Sequence, residues 1–234
     1  MWALDGQALD RQARGLFSDL CFLDERDQDL DVVFGVLQGY GRLGVAGPFI
    51  ALFGTEHDCR AEVASVFAEQ FHALGYLQAE RLVDPAEFKR LTASLRERFD
   101  GRDVRRSEVE AAYGSSSLVV DKRVLCYAPA DRSGWVFFDC FTECRSDYVP
   151  GAGRYEGRVG EDPLVRAVRR PATDFEAGLI LTLYGKVLRW GPGWWLHQPE
   201  GLPDEQRAIA AQLRHIESAD PSQSLRRSRH DPRS

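Results

Sequence analysis

Apolar residues recur along this chain mostly at helical spacing. Leu9, Leu16, Phe17, Leu20 and Leu23 predict a helix over residues 9–23, and Leu30, Val33, Phe34 and Leu37 predict a second one soon after it. Between them runs an acidic stretch, residues 24–31. It reads as a solvated loop entering a helix N-terminus, where carboxylates suit the dipole. Val63, Val66, Phe67, Phe71 and Leu74 line a third helix that Gly75 ends. Phe88, Leu91, Leu95 and Phe99 give a fourth its apolar stripe. Its start has a capping Asp84, Pro85 at the first helical position and Glu87 placed to bond back. Ser107 and Glu110 form a second capping box, opening a short helix that Gly114 closes. Asp162 and Pro163 start another short helix with Leu164, Val165 and Val168 inward. A third box, Thr173 with Glu176, leads into GLILTLYG, which is assigned to a helix, as is the segment 203–216.

Strand patterning is concentrated in residues 115–141. Two β-prone runs flank the turn-forming residues 129–134, which predicts a central β-hairpin. Leu118, Val120, Val124 and Cys126 share one face with Lys122, and Val119, Leu125 and Tyr127 share the other. Apolar groups on both faces place the hairpin inside a sheet. The apolar run 48–53 and residues 76–83 predict two further strands, and residues 186–196 a tight hairpin around Gly191, Pro192 and Gly193. Residues 144–160, rich in glycine and arginine, predict a long surface loop. The expected fold is therefore α+β: a single domain over residues 1–218, with a mixed, mostly antiparallel sheet, a central β-hairpin and flanking amphipathic helices. A disordered basic tail follows over residues 219–234.

Composition narrows the functional classes. The chain has 234 residues and a formal net charge of −6, so nucleic-acid binding is not expected without a local basic patch. The arginines of the tail, Arg226, Arg227, Arg229 and Arg233, read as solvated. No apolar stretch approaches membrane-spanning length, and the N-terminal residues carry early charges, so neither a membrane segment nor a secretory signal is expected. Five scattered cysteines predict reduced thiols in a cytoplasmic protein.

Four constellations are candidates for chemistry. Glu56, His57 and Cys59 fall between a predicted strand and a helix. There a dipole would favour the thiolate and a histidine could act as base, although Asp58 beside them also reads as a plain helix cap. Asp139, Cys140, Glu143 and Cys144 lack a matching second motif, so no metal is assigned to them and Cys140 reads as a core residue. Residues 39–44 spell a literal G-x-G-x-x-G. Gly47 and Pro48 follow too closely for the helix that a dinucleotide site requires, so the segment reads as a glycine-rich connection. Trp190, Trp194, Trp195 and His197, with Tyr184 nearby, form an aromatic cluster suited to partner recognition.

The reading favoured is a cytosolic protein-binding or interaction protein without catalytic chemistry, immunity- or antitoxin-like in one concrete form. It binds another protein through the tryptophan cluster and uses no cofactor. The alternative is a thiol-dependent hydrolase or transferase using Cys59 and His57, with Glu56.

Overall fold

The computed structural model describes residues 6–54, 59–131, 134–141, 145–149, 154–158, 162–172 and 175–190. Its centre is an antiparallel sheet of five strands in the order β1-β2-β3-β6-β7: β1 Leu118–Val120, β2 Val124–Tyr127, β3 Val136–Phe141, β6 Leu164–Arg169 and β7 Leu179–Leu181. A separate two-stranded ladder joins β4 Arg145–Val149 to β5 Arg154–Arg158. The helices are α1 Gly6–Leu23, α2 Asp27–Gln38, α3 Ala46–Phe53, α4 Arg60–Ala73, α5 Pro85–Phe99, α6 Arg106–Tyr113 and α7 Leu183–Trp190. The α+β class expected from the patterning is the one observed. Among the described residues no helix is long and apolar enough to cross a membrane.

Both faces of the sheet are covered, as the two-sided apolar pattern requires. Leu125, Tyr127, Phe138, Cys140, Val165 and Val168 meet α5 and α6 through Phe88, Leu91, Leu95, Phe99 and Val109. The opposite face meets α3, α4 and α7: Val124, Cys126 and Phe137 pack with Ala61, while Ala167 and Leu181 pack with Leu52, Phe53 and Leu188. A second core is purely helical. In it Phe17 and Cys21 of α1 and Val33 and Leu37 of α2 close over Phe49 of α3 and Val63, Val66 and Phe67 of α4.

Several expected elements change identity. Residues 118–127 are two strands, not one: the chain turns tightly at Asp121 and Lys122, both at positive φ, and Arg123 N–H donates to the Val120 carbonyl at 2.9 Å. The apolar run 48–53 belongs to α3, not a strand. Ala46, Phe49, Leu52 and Phe53 are buried while Ala51 is exposed, a helical alternation imposed by packing between α4 and the sheet. Residues 76–83 form no strand, and only Val83 makes an isolated bridge, to Pro129. The segment after Pro163 is strand β6, and GLIL enters strand β7 before α7 begins. The hairpin expected over 186–196 is helical up to Trp190, and its remainder lies outside the described residues. Part of the surface loop expected over 144–160 is the β4–β5 ladder, with Tyr148 opposite Tyr155.

The helix caps follow local chemistry with one shift. Asp84 accepts from the Ala86 and Glu87 amides at 2.9 and 3.2 Å, as expected, but Glu87 turns to Arg81 instead of bonding back. The second box starts two residues early: Glu108 reaches back to the Arg105 amide at 2.9 Å. Ser107 is bonded instead to Asp162, at 2.6 Å. Helix α1 ends in a Schellman pattern. Arg26 N–H donates to the Cys21 carbonyl at 2.8 Å and Glu25 N–H to the Phe22 carbonyl at 3.2 Å. Glu25 sits at φ 55°, a left-handed position where a Cβ is disfavoured. Glu25→Gly is therefore expected to raise the free energy of unfolding by about 0.5–1 kcal/mol in urea titrations, despite glycine's greater freedom in the unfolded chain. A loss would mean that the Glu25 side chain contributes more than its backbone strain costs.

Candidate functional site

The most concentrated chemistry lies between α4 and the sheet. Glu62, Ser65 and Glu69 recur at three- and four-residue spacing and form one stripe of α4. That stripe faces Arg123, Asp139, Arg166 and Arg169 of the sheet. Arg166 is fully buried and Glu62 is 2% exposed. The Glu62 Oε1 atom accepts from both the Arg166 and Arg123 guanidiniums. Arg166 Nε donates to Asp139 Oδ2 at 2.5 Å, and Arg123 Nη2 to Asp139 Oδ1 at 3.3 Å. The Arg166 guanidinium also lies between the rings of Phe53 and Phe141, 4.1 and 4.4 Å from their centroids. Next to it Arg169 stacks on Phe137 at 3.8 Å and approaches Glu69 at 3.7 Å.

A β-bulge aims Arg166. Asp139 is opposite Ala167 but Cys140 is opposite Val165, so Arg166 is the extra residue of β6. The bulge turns Arg166 and Ala167 to the α4 side, leaving Val165 and Val168 on the α5 side.

Two carboxyls and two guanidiniums balance in formal charge, but not in hydrogen bonds. Glu62 Oε2 and Arg166 Nη1 are buried and make no hydrogen bond among the described residues. Burial raises the Glu62 carboxyl to about 7, and the neighbouring Asp139 carboxylate adds to the rise, against the pull of Arg166 and Arg123. Asp139 moves the other way: its two guanidinium partners outweigh its burial and lower it. The pair is thus differentiated, with the exchangeable proton on Glu62. A carboxyl poised near neutrality is a common general acid or base. This one is 2% exposed and packed against Arg123 and Arg166, so in this conformation it holds a proton inside the fold.

The residues singled out by sequence are distributed differently. Cys59 stands at the N-terminus of α4, only 5% exposed, with Gly6 of α1 packed against its sulfur. Glu56 and His57 lie outside the described residues, as do Glu143, Cys144, Trp194, Trp195 and His197. Asp139 and Cys140 diverge: Asp139 joins the ionic cluster, and Cys140 points to the α5 face, where burial pushes its thiol up. The backbone of Trp190 ends α7. Tyr184 packs into the α7–sheet core and its amide donates to Asp103 at 2.9 Å, so its ring is not at a surface platform. The Glu62–Arg166 pair was not anticipated. Its sequence signal is weak: an arginine inside a valine-rich hexapeptide, and a glutamate in the first turn of an amphipathic helix.

An open groove of about 650 Å³ runs between α1, α4 and the edge strand β1. Leu16 and Leu20 form one wall, Phe67 and Phe71 the other, and Val119 marks the sheet edge. Leu16 is 53% exposed there. Tyr76 at one end touches Asp24, and Asp121 stands at the groove's border with the sheet edge.

Comparison with protein-family models, with curated proteins and with solved structures finds no match.

Proposed function

We propose that this chain is a cytosolic protein-binding protein without catalytic chemistry of its own, an immunity- or antitoxin-like partner being one concrete form. The observation that carries the reading is the apolar groove along the open edge of β1. An extended segment of a partner protein suits it: backbone groups add to the strand edge, and alternate side chains fill the space between α1 and α4. The charges favour a segment whose apolar centre is flanked by lysine or arginine. Asp24 and Asp121 border the groove, and residues 19–31 hold six acidic side chains against the single Arg26. That arginine is occupied by Asp29 at 2.6 Å and the Leu74 carbonyl at 2.7 Å.

The test compares wild type with Leu16→Glu, an exposed position whose change leaves the cores intact, and with Trp194→Ala/Trp195→Ala. A protein retained from source-cell lysate is purified and titrated against all three. Binding at least roughly tenfold weaker for Leu16→Glu, with the tryptophan variant unchanged, is the expected result. Loss confined to the tryptophan variant would move the surface to that segment. Retention of nothing by any form would remove the partner reading and favour the thiol enzyme.

A further inference from the structure

The other side of α1 carries a second opening, independent of the groove. A cleft of about 440 Å³ lies between α1 and the connection from α2 to α3. Arg11, Arg14 and Arg42 line it together with Asp10, Gln7 and Gln38. Three guanidiniums against one carboxylate leave the lining two charges positive, in a chain whose formal net charge is −6.

Asp10 does not neutralise the cleft. Both its oxygens accept from Arg14 Nε at 3.2 Å, which fixes the arm of Arg14; its guanidinium lies over the Phe34 ring at 6.0 Å, and its terminal nitrogens make no hydrogen bond among the described residues. Arg11 and Arg42 are exposed and make no hydrogen bond or ion pair among the described residues. Arg11 and Arg14 are also three apart on one helix face, a spacing at which like charges repel. An acidic protein has gathered uncompensated cations in a concavity.

The floor is the glycine segment 39–44. Gly44, at φ 63°, lets the backbone pass against the Asp10 carboxylate, where any Cβ would collide with it. Gly41, at φ 79°, has open space around it, so the backbone there is bare to the cleft. The glycine amides of this segment are already used: Gly39 N–H donates to Val36, Gly41 N–H to Gln38 and Gly44 N–H to Gly41. A dinucleotide fingerprint works through free amides at a helix N-terminus. Here recognition falls to the guanidinium groups, which bind oxyanions through paired N–H donors.

We propose that this cleft binds a small phosphorylated metabolite, of roughly nucleoside monophosphate size, with its phosphate held by Arg11, Arg42 and the terminal nitrogens of Arg14 and its body against exposed Leu43 and the bare backbone at Gly41. The volume is within the usual range for small-molecule sites, about 300–1,000 Å³.

Calorimetric titration at fixed ionic strength, using AMP, inorganic phosphate and citrate as probes, tests it on the full chain. AMP and inorganic phosphate are expected to bind saturably, AMP the tighter of the two. Arg42→Ala and Arg11→Ala should each weaken binding roughly tenfold, and Arg42→Glu should abolish it. Both arginines are exposed, and far-ultraviolet circular dichroism checks that the variants fold. Leu16→Glu should titrate as wild type, which separates this site from the groove. A response that never saturates, or one unchanged in the Arg11→Ala/Arg42→Ala double variant, would overturn the site. Citrate binding tighter than either phosphate would overturn the ligand class.

Discussion

Removing Arg166 is expected to cost about 3–5 kcal/mol of stability, the largest single-residue effect outside the apolar cores. The guanidinium is fully buried and bonded to both Glu62 and Asp139. Arg166→Ala would leave two carboxyls facing each other with only Arg123 between them, and would empty the space between Phe53 and Phe141. Lysine should not rescue it, because an ammonium cannot present the forked donors that reach both carboxyls. Removing charge in pairs should behave differently. Glu62→Leu/Arg166→Met keeps Asp139 with Arg123 and fills the space with apolar atoms, so most of the loss should return, as buried ion pairs seldom exceed their apolar replacements in stability. Urea denaturation of the single and double variants measures this. A loss below about 1 kcal/mol for Arg166→Ala would show that the cluster is hydrated and not sealed.

The second large effect is a fall in stability as pH rises from about 5 to 8, centred on Glu62. Its carboxyl is raised in the folded protein from an ordinary value of 4.5 to about 7. Within that window the native state holds a proton that the unfolded chain has released, so deprotonation favours unfolding. The stabilisation is complete below the unfolded value and is lost as pH passes through the folded one. The shift corresponds to a swing on the order of 3 kcal/mol. Glu69 and Asp103, both raised chiefly by burial, act in the same direction, so the informative quantity is a difference. Glu62→Gln keeps the shape and removes the titration. The stability gap between wild type and this variant should change steadily between pH 5 and 8, wild type losing ground toward pH 8. A constant gap would mean that Glu62 stays ionised throughout, held by its two arginines.

Much of the fold was legible because burial patterns survive errors in topology. The turn at Asp121 and Lys122 was not anticipated, yet the faces were assigned correctly. Leu118 pairs with Cys126 and Val120 with Val124, so residues of the same parity meet across the turn. One long strand and a tight hairpin therefore sort their side chains identically. Helix α5 was readable for a different reason: its cap, its proline and its stripe agree at every level. Strand β6 was misread because of its bulge. With Arg166 inserted, Val165 and Val168 share a face three residues apart, which imitates a helical repeat. The candidate sites divide in the same way. The glycine segment 39–44 was visible as a motif, but the arginines beside it come from α1 and could not be placed next to it. The ionic cluster was not visible as a cluster: Asp139 was singled out only beside Cys140, and Glu62 and Arg166 look like ordinary surface residues until the chain brings them together.

The distances along the chain that hid the cluster also set when it can assemble. Glu62 and Arg166 are 104 residues apart, and Glu62 and Arg123 are separated by 61. Contacts of that span close late, after the loop entropy between them has been overcome. Until β6 docks, its arginine remains hydrated, and the developing interface gains nothing from it. The cluster is therefore expected on the native side of the folding barrier, so that Arg166→Ala should speed unfolding more than it slows refolding. It is expected to do little to hasten folding and to act chiefly as a latch on the finished structure, so that the lifetime of the folded state, more than its rate of formation, depends on two carboxyls and two guanidiniums sealed inside it.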